Sequence, residues 1–227
     1  MTVSIIIPCY NEISSIEKVI DRINLSCHFD KEIIIIDDFS IDGTRELLKD
    51  RIKVNKIIYN EKNYGKGYSV RIGIQEAKGD IIVIQDADLE YDPKEIQNLI
   101  EPIKLNIADV VYGSRFISSR SRKVNLYWHS LVNYYLTLFS NMLTNLNLSD
   151  MEVGFKVFKA NQIKSIKLYE NRFGFEPEIT AKIAKKKLRV FEIGISYNGR
   201  GYNEGKKITW KDGFAALYCI IKYNIFR

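Results

Sequence analysis

Short apolar runs rich in isoleucine and valine alternate with helix-like segments through the first half of this sequence. The predicted strands cover residues 3–8, 31–37, 56–59, 80–85 and 109–112, and the predicted helices cover 12–26, 42–50, 66–77 and 93–103. Continuous apolar runs are typical of strands buried on both faces, and helices between them favour parallel strands in right-handed βαβ units. The sequence therefore predicts an α/β fold with a mostly parallel sheet flanked by helices.

Polar and glycine-containing segments follow the ends of these predicted strands. They are residues 10–12, 37–38, 63–67, 86–88 and 113–115. Ligands of open α/β sheets bind beyond the carboxyl ends of the strands, so these segments predict one site at one edge of the sheet. The pair Gly65 and Gly67 lacks the Gly-x-Gly-x-x-Gly spacing and does not follow the first strand, which argues against a dinucleotide cofactor.

Asp86-Ala87-Asp88 directly follows the predicted strand at 80–85. Two carboxylates one residue apart suit Mg²⁺ or Mn²⁺, because Mg²⁺ prefers one or two carboxylates together with substrate phosphates. An isolated Asp-x-Asp is more often a solvated acidic loop. The other polar segments at the same edge favour the metal site here.

Length and composition fit a single domain over residues 1–227. The net charge of +6 favours anionic partners, and nucleic acid is not among those we expect. The three cysteines are too few and too scattered for a disulfide framework, which indicates a reducing compartment. We expect no signal peptide and no transmembrane helix, and therefore a cytoplasmic protein.

Residues 124–149 contain no formally charged side chain. Asn, Ser, Thr and His recur there every three or four positions and form one helical face, while the other positions are apolar or aromatic. Such a helix either packs in a core or dimer contact, or lies at a membrane interface, where Trp128 and the neighbouring tyrosines are favoured. Arg120, Arg122 and Lys123 precede it and could meet a phosphate.

The C-terminal part is predicted to contain a strand at 190–196, a glycine-rich loop at 198–207 and an amphipathic helix at 208–226. Three glycines surround Arg200 in the loop, and Lys206 and Lys207 follow. This composition suits a loop that closes over phosphate groups.

Several ordered motifs resemble the inverting, GT-A-fold glycosyltransferases of family 2. They include Ile-Ile-Ile-Pro-Cys-Tyr-Asn-Glu at 5–12, Asp-Asp-Phe-Ser-Ile-Asp-Gly-Thr at 37–44, Asn-Tyr-Gly-Lys-Gly at 63–67, Gln-Asp-Ala-Asp-Leu-Glu at 85–90 and Gly-Ser-Arg-Phe at 113–116. The branch they are similar to contains dolichyl-phosphate mannose synthase and polyprenyl-phosphate glucose synthase. The resemblance implies a nucleotide-sugar-binding half at 1–116, interfacial helices at 117–149 and an acceptor and closing-loop half at 150–227.

The resemblance also implies roles for individual residues. Donor binding would involve Pro8, Tyr10, Glu12, Asp38, Lys66, Asp86, Ala87, Lys206 and Lys207. Asp86, Asp88 and Glu90 would hold the metal, with Glu90 where mannose synthases usually have glutamine. Arg115, with Arg122 or Lys123, would face the acceptor phosphate, and Arg200 would close over the donor phosphates. The catalytic residues would thus be Asp88, Arg115 and Arg200.

Two segments depart from the mannose-synthase pattern. The Thr-Gly-Phe segment is replaced by Asp-Met-Glu-Val-Gly-Phe-Lys at 150–156, and Glu176 stands where that enzyme type has a lysine. These differences leave the donor sugar open.

The function that the resemblance implies is metal-dependent, inverting transfer of a hexose from a nucleotide sugar, of GDP-mannose or UDP-glucose type, to polyprenyl or dolichyl phosphate. The protein would lie peripherally on the cytosolic membrane face, with residues 124–149 against the membrane or in a homodimer. The alternatives are a glycosyltransferase that extends a glycan or modifies a soluble acceptor, a nucleotidyltransferase of related fold, and a non-catalytic binding module at the membrane.

Overall fold

A computed structural model describes residues 1–50, 54–117, 123–124, 126–200 and 210–226. The strands are β1 (Val3–Cys9), β2 (Lys31–Asp37), β3 (Lys56–Tyr59), β4 (Ile81–Ile84), β5 (Val110–Ser114), β6 (Lys156–Lys159) and β7 (Val190–Gly194). The helices are α1 (Ile16–Ser26), α2 (Thr44–Asp50), α3 (Lys66–Glu76), α4 (Ile96–Lys104), α5 (Tyr127–Thr144), α6 (Ala160–Lys164), α7 (Phe175–Lys185) and α8 (Trp210–Ile221).

In this part of the chain seven strands form one sheet, in the order β3-β2-β1-β4-β6-β5-β7. The pairs among β1 to β4 are parallel, and so is the pair β5–β7, which confirms the predicted mostly parallel α/β fold. The strand β6 was not predicted. It runs antiparallel between β4 and β5, so its first residue, Lys156, is paired with Ile84 at the end of β4.

The first helix begins later than the predicted residue 12, because the preceding loop is held in a different conformation. Asn11 has a positive φ of 51°, and its amide oxygen accepts a hydrogen bond from the backbone N–H of Ile41. The second helix begins at Thr44, whose backbone N–H donates to the Asp42 carboxylate at 3.0 Å. The Asp42 carboxylate thus satisfies one of the free backbone N–H groups at the start of this helix, which begins two residues after the predicted residue 42.

The hydrophobic core lies on both sides of the sheet, as the continuous apolar runs predicted. The side chains of β1 and β4 are almost completely buried. Helix α3 packs against β1 and β2, α4 packs near the other half of the sheet, and α5, α7 and α8 pack on one another. The sheet therefore holds the carboxyl ends of β1 and β4 in fixed positions.

Helix α5 is oriented with its polar stripe toward the protein. Thr137 and Ser140 are only 3% and 1% exposed, whereas Trp128 and Met142 are 71% and 73% exposed. Further exposed apolar or aromatic side chains on this helix are Tyr127, Val132, Tyr134, Tyr135, Leu138 and Leu143. Among the described residues, no helix combines the length and hydropathy needed to cross a bilayer.

Helix α3 approaches the sheet closely at Gly73. A Cβ atom at this position would lie 2.3 Å from Cγ2 of Ile6 and 2.9 Å from Cδ1 of Ile36. Side chains in a packed core cannot yield that much without leaving their rotamers. The glycine thus sets the distance between α3 and the two strands that it covers.

Replacing Gly73 with alanine is expected to destabilise the protein by about 1–3 kcal/mol, because the new methyl group overpacks the helix–sheet contact. Chemical denaturation followed by circular dichroism measures this change. The matched control is Gly213→Ala in α8, where a Cβ atom would meet nothing closer than Cγ1 of Val132 at 3.8 Å. That variant should be neutral or stabilised by up to about 1 kcal/mol. Equal losses in the two variants would contradict the packing argument.

Candidate active site

The candidate site lies where β1 and β4 end side by side. β1 pairs with β2 on one side and with β4 on the other. The sheet grows from β1 through β2 to β3 in one direction, and then continues from β4 in the opposite direction. Such a switch in strand order opens a crevice beyond the carboxyl ends. Glu12 follows β1 and the Asp86-Ala87-Asp88 segment follows β4, so both enter this crevice.

Three carboxylates surround the guanidinium group of Arg200. Its Nη2 atom lies 2.9 Å from Oε1 of Glu12 and 2.8 Å from Oδ2 of Asp88, and its Nε atom lies 3.7 Å from Oε1 of Glu90. The backbone N–H of Arg200 donates to Glu90 at 2.7 Å. The structure thus brings together four of the predicted site residues.

The local backbone fixes the orientation of these carboxylates. The backbone N–H of Glu12 donates to Oγ1 of Thr44, and the Ser15 hydroxyl donates to Oε2 of Glu12 at 2.6 Å. The Tyr197 hydroxyl donates to Oε2 of Glu90 at 2.9 Å. The carboxylates therefore remain clustered although they repel one another.

The electrostatics of the cluster follow from this crowding. Burial raises the pKa of Asp88 to about 7, and the charges of Asp86 and Glu90 add to the shift while Arg200 opposes it. Burial alone would lower the pKa of Arg200, but its hydrogen bond to Glu12 and the charge of Asp88 raise it above the ordinary value. A cation at this place therefore stabilises the ionised carboxylates.

Lys66 provides a second cation beside Asp86. Its Nζ atom lies 2.8 Å from Oδ1 of Asp86 and 3.4 Å from Oε1 of Glu176. These acids raise the pKa of Lys66 even though burial would lower it. A Cβ atom on Gly154 would lie 2.3 Å from Oδ2 of Asp86 and 3.0 Å from Nζ of Lys66. Only glycine lets the backbone pass so close to this pair.

The predicted metal ligands were Asp86, Asp88 and Glu90. Within the described ranges, no three His, Cys, Asp or Glu side chains already converge closely enough to form a complete metal cluster. Asp88 and Glu90 nevertheless lie around a cation just after β4, and their carboxylates are the hard oxygen ligands that Mg²⁺ or Mn²⁺ prefers. Mg²⁺ needs only one or two such carboxylates when substrate phosphates complete its coordination. The donor set therefore fits such an ion.

Four further predicted donor-binding residues lie at the same edge. Pro8 is in the last part of β1, Tyr10 follows that strand, and Ala87 is buried between the two aspartates. Asp38 accepts backbone N–H groups from Tyr64 at 2.9 Å and from Gly65 at 2.7 Å. Its carboxylate thus fixes the loop that leads into α3.

Arg115 was predicted to face an acceptor phosphate, and its guanidinium group is engaged by Asp150 in the structure. Nε donates to Oδ2 of Asp150 and Nη2 donates to Oδ1, each at 2.7 Å, and Asp150 is buried. The amide group of Asn133 in α5 donates to the same carboxylate at 3.2 Å. Any phosphate at Arg115 would therefore share the guanidinium with Asp150.

Three other predicted site residues, Arg122, Lys206 and Lys207, lie outside the described residues. Lys123 is exposed, and its backbone N–H donates to the carbonyl oxygen of Tyr197 at 2.8 Å. This bond places Lys123 close to the segment that carries Arg200.

Sequence reasoning gave no role to Asp150, Glu152 or Tyr197, and it treated Glu176 only as a departure from a family pattern. Asp150 and Glu152 precede β6, and they reach the site because β6 is antiparallel. The signal available in the sequence was a set of acidic residues just before the apolar pair Val157-Phe158. It would have been informative only if the direction of that strand had been known.

Solved glycosyltransferases share this fold. Structures of glucosyl-3-phosphoglycerate synthase from Mycobacterium tuberculosis, one in complex with Mn²⁺, UDP and glucosyl-3-phosphoglycerate, align with TM-scores of up to 0.76. The alignment with that complex covers 98% of this chain and 80% of the other at 16% identity. The arrangement described above is thus the Rossmann-like GT-A fold.

The chain belongs to Glycosyl transferase family 2, whose profile matches residues 4–165. It is 31% identical over 212 residues to the dolichol-phosphate mannosyltransferase of Pyrococcus furiosus, covering 91% of this chain and 59% of that protein. It is 27% identical over 218 residues to the undecaprenyl-phosphate mannosyltransferase of Micrococcus luteus, covering 91% and 87%. The resemblance to family 2 glycosyltransferases that the sequence motifs indicated is thereby confirmed.

A third relative is the dodecaprenyl-phosphate galacturonate synthase of Rhizobium johnstonii, which is 24% identical over 213 residues that cover 91% of this chain. This chain spans about three fifths of the length of the first relatives, 59% and 62%. The named sugars of the relatives differ from one another.

Asp150→Asn is expected to destabilise the protein by about 3 kcal/mol, because it removes the charge that balances the largely buried Arg115. Urea denaturation measures the loss. The control is Glu76→Gln, since the Glu76 carboxylate pairs with the ammonium group of Lys56 at a place where the two side chains are 42% and 46% exposed. Water and salt screen that pair, so the control should lose clearly less. The reverse order would contradict the buried-charge argument.

Proposed function

We propose that this protein transfers a hexose from a nucleotide diphosphate sugar to a polyprenyl phosphate at the cytoplasmic membrane face, with inversion at the anomeric carbon and with Mg²⁺ or Mn²⁺. The observation that carries the proposal is the cluster of Glu12, Asp88 and Glu90 around Arg200, with Lys66 beside Asp86, at the crevice of a GT-A fold. The carboxylates could bind a metal ion, and the two cations could bind the oxygens of a diphosphate.

Transfer of the sugar develops negative charge on the leaving diphosphate. A divalent ion held by Asp86, Asp88 and Glu90 would stabilise that charge as a Lewis acid. Lys66, which pairs with Asp86, and Arg200, which pairs with Asp88, would neutralise phosphate oxygens next to it. Arg200 follows Gly199 at the start of the glycine-rich loop. Pro8, Tyr10 and Glu12, with Asp38 nearby, would bind the nucleoside.

A lipid phosphate as the acceptor removes the need for a strong general base, because its oxygen is already anionic near neutral pH. Arg115 would orient this phosphate with a charge-assisted hydrogen bond, aided by Lys123 or Arg122. Asp150 would position Arg115, because its carboxylate accepts hydrogen bonds from two nitrogens of the Arg115 guanidinium group.

The outer face of α5 supports a lipid acceptor. The centre of its polar stripe is buried, and most of its large apolar and aromatic side chains face outward, although Leu136 and Phe139 pack against the core. This is the reverse of a helix that packs a core with its whole apolar face. Exposed Phe214 and Tyr218 lie on α8, which packs against α5, and a Cβ atom on Gly213 of α8 would lie 3.8 Å from Cγ1 of Val132 in α5. Apolar and aromatic side chains exposed on two adjacent helices are typical of contact with a membrane interface.

Radiolabelled sugar transfer into polyprenyl phosphate tests the activity directly. A panel containing GDP-mannose and UDP-glucose is incubated with the protein and the lipid, with and without Mg²⁺ or Mn²⁺. We expect label in the organic phase only when metal is present. Label that appears only in water-soluble products would assign the enzyme to another acceptor, and diphosphate release from a nucleoside triphosphate plus a sugar phosphate would indicate a nucleotidyltransferase.

Asp88→Asn should lower metal-dependent transfer by at least about 100-fold, because a charge-stabilising group of the transition state is weakened. The same transfer assay measures the loss, and circular dichroism checks the fold. Asp80→Asn is the matched control, since Asp80 lies before the opposite end of β4. It should retain the activity of the unmodified protein. Unchanged transfer by the Asp88 variant would remove this residue from the metal site.

Replacing Trp128 and Met142 together by serine should reduce binding to liposomes of anionic phospholipid by about tenfold or more, because two exposed apolar side chains of α5 are lost. Flotation of the protein with liposomes measures the effect. The matched control is Leu25→Ser in α1, since Leu25 is exposed to the same extent, 74%, outside this surface.

The same variants distinguish a membrane from a second copy of the chain. Sedimentation velocity without lipid reports the oligomeric state of each. A dimer that dissociates when Trp128 and Met142 are replaced, with unchanged liposome binding, would assign the surface to a homodimer interface.

A further inference from the structure

Glu176 is a buried carboxylate beside the candidate diphosphate site. It lies in the first turn of α7, is only 3% exposed, and has Oε1 at 3.4 Å from Nζ of Lys66. None of the described residues donates a hydrogen bond to its other oxygen, Oε2. Buried polar atoms are almost always paired in native proteins, so an unpaired carboxylate oxygen here indicates a missing donor.

Glu152 presents a second oxygen of this kind. Its Oε1 atom is buried and also lacks a donor among the described residues. Burial raises the pKa of Glu152 to about 8, and the charge of Glu176 contributes to the shift, so the two carboxyl groups interact. The buried ammonium group of Lys156 hydrogen-bonds to the backbone carbonyl oxygens of Met151 and Val153.

The order of strands along the sheet edge places these two acids relative to the proposed substrates. The proposed nucleoside contacts follow β1 and β2, the proposed diphosphate contacts follow β4, and Arg115 follows β5. Glu152 precedes β6, the strand between β4 and β5, and Glu176 contacts Lys66, the partner of Asp86. A sugar attached to the diphosphate and attacked from the Arg115 side would therefore lie against these acids.

We propose that Glu176 and Glu152 bind the hydroxyl groups of the donor's sugar and select a neutral hexose over a sugar that carries a carboxylate. This assignment rests on the proposed function, because it takes the diphosphate position from it. A hexose presents hydroxyl groups that donate to carboxylate oxygens, and such charge-assisted bonds are stronger than neutral ones. A uronic acid would bring a carboxylate, which is negatively charged and cannot donate a hydrogen bond, next to these two acids, a contact that costs affinity for the wrong substrate.

Binding measurements test the assignment without any acceptor. Isothermal titration calorimetry with Mg²⁺ gives the Kd of UDP-glucose and of UDP, and of GDP-mannose and of GDP. The ratio of the two Kd values in each pair isolates the contribution of the sugar, since the nucleotide is common to both. In the pair that binds more tightly, Glu176→Gln should raise the ratio of sugar-nucleotide Kd to nucleotide Kd by about tenfold.

Glu152→Gln provides a second variant and should change the same ratio in the same direction. The matched control is Glu32→Gln, since Glu32 accepts hydrogen bonds from Ser4 and from the backbone of Gly79 at the opposite edge of the sheet. It should leave the ratio unchanged within about twofold. A ratio that is unchanged in both test variants, while thermal unfolding shows them folded, would overturn the assignment.

The choice between sugars gives an independent readout. The unmodified protein should bind UDP-glucuronate at least about tenfold more weakly than UDP-glucose, and Glu176→Gln should reduce that difference. Equal affinity of the unmodified protein for the two nucleotides would contradict the proposal.

The two proposals fail in different ways. Loss of the sugar contribution in the Glu176 variant, without any transfer to polyprenyl phosphate, would retain the sugar pocket and remove the lipid acceptor. Transfer to polyprenyl phosphate with unchanged ratios in both variants would retain the function and remove these residues from the sugar pocket.

Discussion

The interaction on which the site depends is the contact between the Arg200 guanidinium and the carboxylates of Glu12, Asp88 and Glu90. Carboxylates cannot remain ionised in a partly buried crevice unless cations are close to them. Arg200 supplies that charge from a segment distant in sequence, and Lys66 does the same for Asp86. The end of β1, the end of β4, the start of α3 and the segment after β7 are therefore held together by charge as well as by packing.

Strand β6 determines how the rest of the site is assembled. If it ran parallel to β4, the segment 150–155 would lie at the opposite edge of the sheet. Because it is antiparallel, Asp150 reaches Arg115 and Gly154 reaches Asp86 and Lys66. The antiparallel strand thus brings the residues that precede it to the crevice, in addition to those that follow the parallel strands.

The parts of the fold that could be predicted from the sequence are those that depend on local patterns. The continuous apolar runs of β1 to β5 each leave a signal within a few residues. The direction of β6 does not, because a four-residue strand reads the same either way. The family resemblance allowed each of the three acids around Arg200, namely Glu12, Asp88 and Glu90, to be proposed as a site residue. Their mutual contacts, and the engagement of Arg115 by Asp150, depend on tertiary distances that no local pattern contains.

Helix α5 connects the proposed membrane surface to the proposed acceptor site. Its buried polar stripe includes Asn133, which donates to the carboxylate of Asp150, and that carboxylate orients Arg115. The opposite face of the same helix carries the exposed aromatic and apolar side chains. A lipid phosphate whose chain remains in the membrane must present its head group within reach of a water-soluble donor. An inverted amphipathic helix would satisfy both requirements, since one face would meet the bilayer while the other fixes the arginine about one helix diameter away.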